Sequence, residues 1–202
     1  MNPAVPPSPS NHLLASLAAR VDEARPVRVG IVGAGDYALG LVSQLVRIRG
    51  MAASVICDLD LEAARDCYVA AGVDENAVAT VKGAGQLRDA VLRGGPVVAE
   101  ASGLLIDAGL EVIVDCTGDP DVGARLAREA LESGSHVVMV NVEADATVGT
   151  ELANLGRRAG RVYTLADGDQ PSLIAGLADW ASTLGFELVS AGKWTDIYDP
   201  GE

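Results

Sequence analysis

No stretch of this 202-residue sequence approaches the roughly 18 consecutive apolar residues that a membrane-spanning helix needs. Its opening, MNPAVPPSPSNH, has neither the basic start nor the apolar run of a secretory leader, so the protein is expected in the cytoplasm. Basic residues are scarce: 15 lysines and arginines stand against 28 acidic residues, a formal charge of −13. Such a chain repels a phosphate backbone or an anionic lipid surface, and neither nucleic acid nor membrane is expected as a partner. Cysteine is limited to Cys57, Cys67 and Cys116. The number is odd, and two of the three end apolar runs (SVICD, VIVDCTG), which fits buried reduced thiols better than a disulfide framework. Histidine is limited to His12 and His136, neither at ligand spacing from a partner, so no metal site is expected.

What is present suffices for a full core, with 49% hydrophobic residues against 21% charged. Residues 1–11 hold four of the nine prolines and few large apolar side chains, and are expected to form a disordered tail. Residues 12–25 place Leu13, Leu14, Leu17, Ala18 and Val21 at helical spacing. From Pro26 to the end at residue 202, short runs rich in valine and isoleucine alternate with longer alanine-rich segments of helical period. That alternation predicts a doubly wound α/β domain around a buried, mostly parallel sheet. Strands are expected at Val27–Val32, Ala53–Cys57, Val97–Val98, Val112–Cys116, His136–Val140, Arg161–Leu165 and Phe186–Ala191. Helices are expected near Tyr37–Arg49, Leu61–Ala71, Ala84–Leu92, Asp121–Ser133, Ala146–Ala159 and Ser172–Leu184. Gly50, Gly72, Gly134 and Gly160 follow four of these helices, where a left-handed terminating residue is needed.

The first strand runs into Gly33-Ala34-Gly35-Asp36-Tyr37-Ala38, the order that a dinucleotide site requires. Gly33 permits a tight turn, Gly35 lets the backbone approach a diphosphate, and the small Ala38 lets the following helix lie against the strand while its N-terminus, with Asp36 and Tyr37 as further cofactor-binding candidates, faces the phosphates. Twenty-five residues after Gly33, SVICDLD ends the second strand with Asp58, placed to accept hydrogen bonds from adenosine ribose hydroxyls. A 2′-phosphate would meet that carboxylate with no arginine at Leu59 to offset it, so NAD is expected as cofactor over NADP. Asp60 is the alternative if the strand ends later.

Other candidates sit in loops beyond the strands' carboxyl ends, where ligands of open α/β sheets bind. In CTGDP, Thr117 and Gly118 can face the cofactor, or Asp119 or Asp121 can cap the next helix. In NVEADATVG, Asn141 can hold a carboxamide or substrate carbonyl and Glu143 can move a proton; alternatively Asp145 caps a helix and Glu143 is solvated. Asp167 to Asp169 read as turn chemistry, with a polar pocket or cation site as the other possibility. Near the end of ELVSAGKWTD, Lys193 can polarise a carbonyl, or lie on the surface.

Four blocks, RPVRVGIVGAGDYALGLVSQL, VIVDCTGDPDVGARLAREAL, HVVMVNVEADATVG and SAGK, together resemble the N-terminal half of the homoserine-dehydrogenase-like oxidoreductases, in particular the deoxyxylulose-phosphate-reductoisomerase-like group that often carries a SAF domain. The resemblance implies a Rossmann domain with the cofactor on Gly33, Gly35 and the Ala38 turn, Thr117 and Gly118 near the nicotinamide, and Asn141, Glu143 and Lys193 on the active-site side. Members of that group use NAD(P)H and are longer, with a second half that supplies the substrate lid and dimer contacts. A homo-oligomer, or a second subunit completing the site, is therefore expected here. The leading expectation is an NAD-dependent oxidoreductase of a small polar hydroxy or carbonyl substrate, with Lys193 and Glu143 as catalytic candidates. The alternatives are a non-catalytic NAD(H)-binding module and a sugar-phosphate reductoisomerase that uses a divalent metal. Replacing Lys193 with alanine should lower turnover while sparing NAD binding; unchanged turnover in a steady-state assay removes that residue from the mechanism.

Overall fold

The valine- and isoleucine-rich runs form strands because both faces of each are covered, so nearly every residue along them can be apolar. The computed structural model describes residues 9–166 and 170–192. Seven strands lie in one sheet: β1 (Val27–Val32), β2 (Met51–Cys57), β3 (Ala79–Val81), β4 (Val97–Ala99), β5 (Val112–Asp115), β6 (His136–Met139) and β7 (Tyr163–Leu165). Their spatial order is β3-β4-β2-β1-β5-β6-β7, and β1 to β6 pair in parallel. The helices are α1 (Pro9–Asp22), α2 (Asp36–Leu45), α3 (Leu61–Ala70), α4 (Ala84–Arg93), α5 (Pro120–Ser133), α6 (Val142–Ala159) and α7 (Gln170–Thr183).

The chain moves outward from β1 through β2, then returns across the sheet to start again at β5. Right-handed crossovers therefore put α2 and α3 on one face and α5 and α6 on the other. Packing agrees, with α2 against α3 and α5 against α6. The α2–α3 face is sealed by Ile31, Val42, Ile56, Ala64 and Tyr68, all fully buried. The reversal leaves a crevice between β1 and β5, where open sheets of this kind bind ligands. Register keeps its rim level: Val32 pairs with Cys57 and with Asp115, and Cys57 pairs with Ala99.

Contacts divide the chain into two units, Met1–Thr164 and Leu165–Glu202. The first carries the sheet and α1 to α6. The second carries α7, whose Leu177 and Trp180 are exposed. No helix among the described residues is long and apolar enough to cross a membrane.

Most expected elements appear, and six of the expected strands are met within two residues at each end. Five departures have physical causes. The strand expected over Phe186–Ala191 does not form: these residues pair with no strand among the described residues, and a strand needs a neighbour to take its hydrogen bonds. An unexpected strand, β3, forms from only three residues because it pairs with β4 at the sheet edge. The helix expected to run to Arg49 ends at Leu45, where Arg47 N and Ile48 N turn back to Gln44 O and Leu45 O and tighten the last turn. The helix expected from Ala146 begins at Val142, because Asn141 rather than Asp145 caps it. And α1 begins at Pro9, inside the stretch expected to be a disordered tail, with the proline at a first-turn position that tolerates it.

Tyr68 joins two strands under this face. Its buried hydroxyl donates to Ala53 O at 3.0 Å, with Val97 O at 3.4 Å as a second acceptor. Tyr68→Phe keeps the ring and loses that link, and urea denaturation should show a loss of about 1 kcal/mol.

Candidate functional site

The turn after β1 is held from two sides. Gly33 N donates to Cys57 O at 2.8 Å, and Cys116 N donates to Val32 O at 2.7 Å. Gly33 has φ +95°, and a side chain there would stand 2.8 Å from Cys116 O, so both conformation and space demand glycine. Gly35 differs: it is extended, and a side chain on it would meet nothing within 4 Å. The space above Gly35 opens on a cleft of about 560 Å³ lined by Gly33–Gly35, Asp58 and Leu59, Glu100–Gly103, Thr117–Asp119, Val122 and Arg125. It lies at the level carboxyl ends of β1, β2, β4 and β5.

α2 begins differently from α3, α5 and α6, while α4 likewise starts on a glycine, Gly83, with no side-chain cap. Asp60 caps α3 by accepting from Glu62 N and Ala63 N, and is thereby committed to the helix. Asp119 caps α5 by accepting from Asp121 N and Val122 N, with Pro120 following. Asn141 caps α6 by accepting from Ala144 N. α2, which starts at the cleft, has Gly35 at its cap and no side-chain hydrogen bond to its first amides. Those amides and the helix dipole are what an anion at that position would meet. Ala38, buried in the first turn, lets α2 seat closely on the sheet; Asp36 and Tyr37 are exposed beside it. Partial burial raises the Tyr37 phenol pKa, and Cys116 adds to the shift.

Asp58 faces the cleft from the end of β2. One carboxylate oxygen accepts from Ala34 N at 2.7 Å and the other from Asp60 N at 2.8 Å, so the residue braces the glycine turn as well as lining the cleft. The opposite wall is braced by Asp115, a fully buried carboxylate ending β5. Its Oδ1 accepts from the Thr117 amide at 3.0 Å and the Thr117 hydroxyl at 2.7 Å. Its Oδ2 has no hydrogen-bond partner among the described residues. Burial pushes the Asp115 carboxyl pKa up, opposed by the two bonds from Thr117. A Cβ on Gly123 would run into that oxygen, so α5 can approach only as glycine there.

Asn141 ties this wall together. It is 2% exposed, and its amide donates to Asp119 O at 2.8 Å and to the Thr117 hydroxyl at 3.3 Å while its carbonyl caps α6. Both amide hydrogens are thus engaged within the protein, behind the cleft wall rather than in the cleft. Glu143 is exposed in the first turn of α6 and does not line the cleft. Asp145 accepts from the Tyr163 hydroxyl at 2.8 Å. His136 Nδ1 accepts from Val162 N at the start of β6. Lys193, and the Asp167 to Asp169 loop, lie outside the described residues.

Of the residues singled out in the sequence, Gly33, Gly35, Asp58, Thr117 and Gly118 meet in one cleft. Missed were Glu100–Gly103, Asp115 and Arg125. The small residues of AEASG and the lone acid inside VIVDC were the available signals for the first two. Cys57 and Cys116 form part of the floor. Burial first, then nearby Asp58 and Asp115 respectively, pushes each thiol up to about 12, so both are neutral wall residues at physiological pH.

A sequence profile described as the NAD-binding domain of homoserine dehydrogenase matches residues 33–165. No curated protein matches. Solved structures match in fold. The WlbA dehydrogenase from Bordetella pertussis, in complex with NADH and UDP-GlcNAcA, is 18% identical with a TM-score of 0.56, over 80% of this chain and 43% of that one. Biliverdin reductase from Synechocystis sp. PCC 6803, in complex with biliverdin and NADP+, is 21% identical with a TM-score of 0.53, over 79% and 43%. An NAD-binding oxidoreductase from Klebsiella pneumoniae is 16% identical with a TM-score of 0.53, over 79% and 39%. The chain thus spans about two fifths of the length of these structures.

The Asn141 tie predicts a coupled loss. Asn141→Ala removes a helix cap and frees the Thr117–Asp119 turn, and should cost roughly 1–3 kcal/mol in denaturation. NADH affinity should fall in the same variant at temperatures where it stays folded, measured by calorimetry.

Proposed function

The chain belongs to the family of homoserine dehydrogenase NAD-binding domains, and we propose that it is the cofactor-holding part of an oxidoreductase that prefers NAD(H) to NADP(H) and acts on a small polar hydroxy or carbonyl compound. The observation that carries this reading is the uncapped start of α2, set at the cleft between the Gly33 turn and Asp58. The residues present fit a dinucleotide: open space above Gly35 for the diphosphate, free amides at its edge, and a carboxylate where a ribose would lie.

When bound, the dinucleotide supplies or accepts the hydride. The chain's own part is placement. Gly33 and Gly35 keep side chains out of the diphosphate's path, and the first amides of α2 hold it. Asp58, already braced by Ala34 N, accepts from the ribose hydroxyls and disfavours a 2′-phosphate by like charge. Thr117 and Gly118 shape the far wall, fixed by Asp115 and Asn141. Glu143 does not line the cleft, which leaves Lys193 as the residue proposed for proton handling at the substrate. Hydride transfer also needs water excluded from the reacting atoms, which a second copy or a further subunit over the cleft supplies.

Calorimetric titration of NADH and NADPH into the purified protein tests the reading. NADH should bind at least tenfold more tightly than NADPH, a difference of about 1.4 kcal/mol, and Asp58→Ala should remove most of that discrimination. Failure of both nucleotides to bind sinks the proposal, and equal binding sinks the assignment of preference to Asp58.

A further inference from the structure

The charges around the cleft are unevenly distributed. Among the described residues that line it, Asp58, Glu100 and Asp119 are acidic, and Arg125 is the one cation. Two of the acids are already engaged by backbone amides, Asp58 by Ala34 and Asp60, Asp119 by Asp121 and Val122. Arg125 is exposed and makes no hydrogen bond or ion pair with any described residue. Its placement follows from helical spacing. Val122 and Arg125, three apart on α5, line the cleft below the Asp119 cap, on the wall that faces the Gly33–Gly35 turn.

A dinucleotide brings a dianionic diphosphate to a chain of net charge −13. The uncapped start of α2 offers only about half a positive charge. A free guanidinium across the cleft can add a charge-assisted, fork-shaped contact that neither acidic wall provides. We infer that Arg125 recognises the diphosphate of the dinucleotide in this cleft. The inference rests on the cofactor reading above and adds a residue to it that no sequence motif indicated.

Wild type and Arg125→Gln are titrated calorimetrically with NADH, NADPH, ADP-ribose and adenosine, at low and high salt, and their melting temperatures are compared. Arg125→Gln should weaken NADH and ADP-ribose by roughly three- to tenfold at low salt. The gap should shrink at high salt, because an exposed charge contact is screened there. Adenosine, which lacks phosphate, should bind both proteins alike, and melting temperatures should agree. Equal NADH binding by the two proteins, with wild type binding well, overturns the inference and leaves the cofactor reading intact. A loss confined to NADPH also overturns it, placing the guanidinium at a 2′-phosphate. So does a lowered melting temperature with NADH binding unchanged, which would assign Arg125 to the neighbouring α5–α6 groove with Asp121, Glu132 and Glu151. Failure of wild type to bind NADH, NADPH or ADP-ribose overturns both readings together.

Discussion

Gly33 lies between two carbonyls from strands on either side of β1. Its amide donates to Cys57 O at 2.8 Å, and the space a side chain would need is taken by Cys116 O. The turn can close only while β1, β2 and β5 end at the same level, which the pairing of Val32 with both Cys57 and Asp115 enforces. Closure then sets where α2 starts and which way its first amides face. The cleft, the position of Asp58 and the reach of α5 all follow from that geometry.

Around this turn the polar groups divide into those that hold the wall and those left for a ligand. Asp60, Asp119 and Asn141 satisfy the starts of α3, α5 and α6, and Asp115 with Thr117 stiffens the loop between β5 and α5. The first amides of α2 and the Arg125 guanidinium have no such side-chain partner. Buried backbone and side-chain donors are nearly always satisfied, so donors held at a cleft without partners are where binding free energy is available. The cysteines add shape alone, since their thiols stay neutral.

An acidic protein that holds an anionic cofactor presents an electrostatic problem that distance resolves. The charge of −13 is spread over a surface whose field is screened within about 8–10 Å at physiological salt. Contacts inside the cleft act at hydrogen-bond range: Asp58 and Asp119 are already engaged by backbone amides, while the start of α2 and, in the inference above, Arg125 offer positive charge. The same reasoning carries the proposed preference for NADH over NADPH: a 2′-phosphate beside Asp58 stands too close for screening to help.

The doubly wound fold was legible because burial of a parallel sheet leaves a strong mark: consecutive buried residues such as Val29–Val32 and Val55–Cys57 can all be non-polar only when helices cover both faces. The glycine turn and Asp58 were legible for a similar reason, each being dictated by a local spacing along one crossover. The short strand β3 and the absence of the strand expected over Phe186–Ala191 were not, because a strand depends on a neighbour remote in the chain. The roles of Asn141, Asp115 and Arg125 belong to the same class. Asn141 reads as a loop amide until α6 is seen to start at Val142 and Asp119 O is brought to within 2.8 Å of its Nδ2. The sequence by itself determined six of the seven strands of the sheet, the order of the helices and where the nucleotide turn lies, since those follow from periodicity and from the sterics of single residues. Only the tertiary structure decided which polar side chains brace the cleft and which face into it, since hydrogen-bond partners come from loops that folding alone brings together.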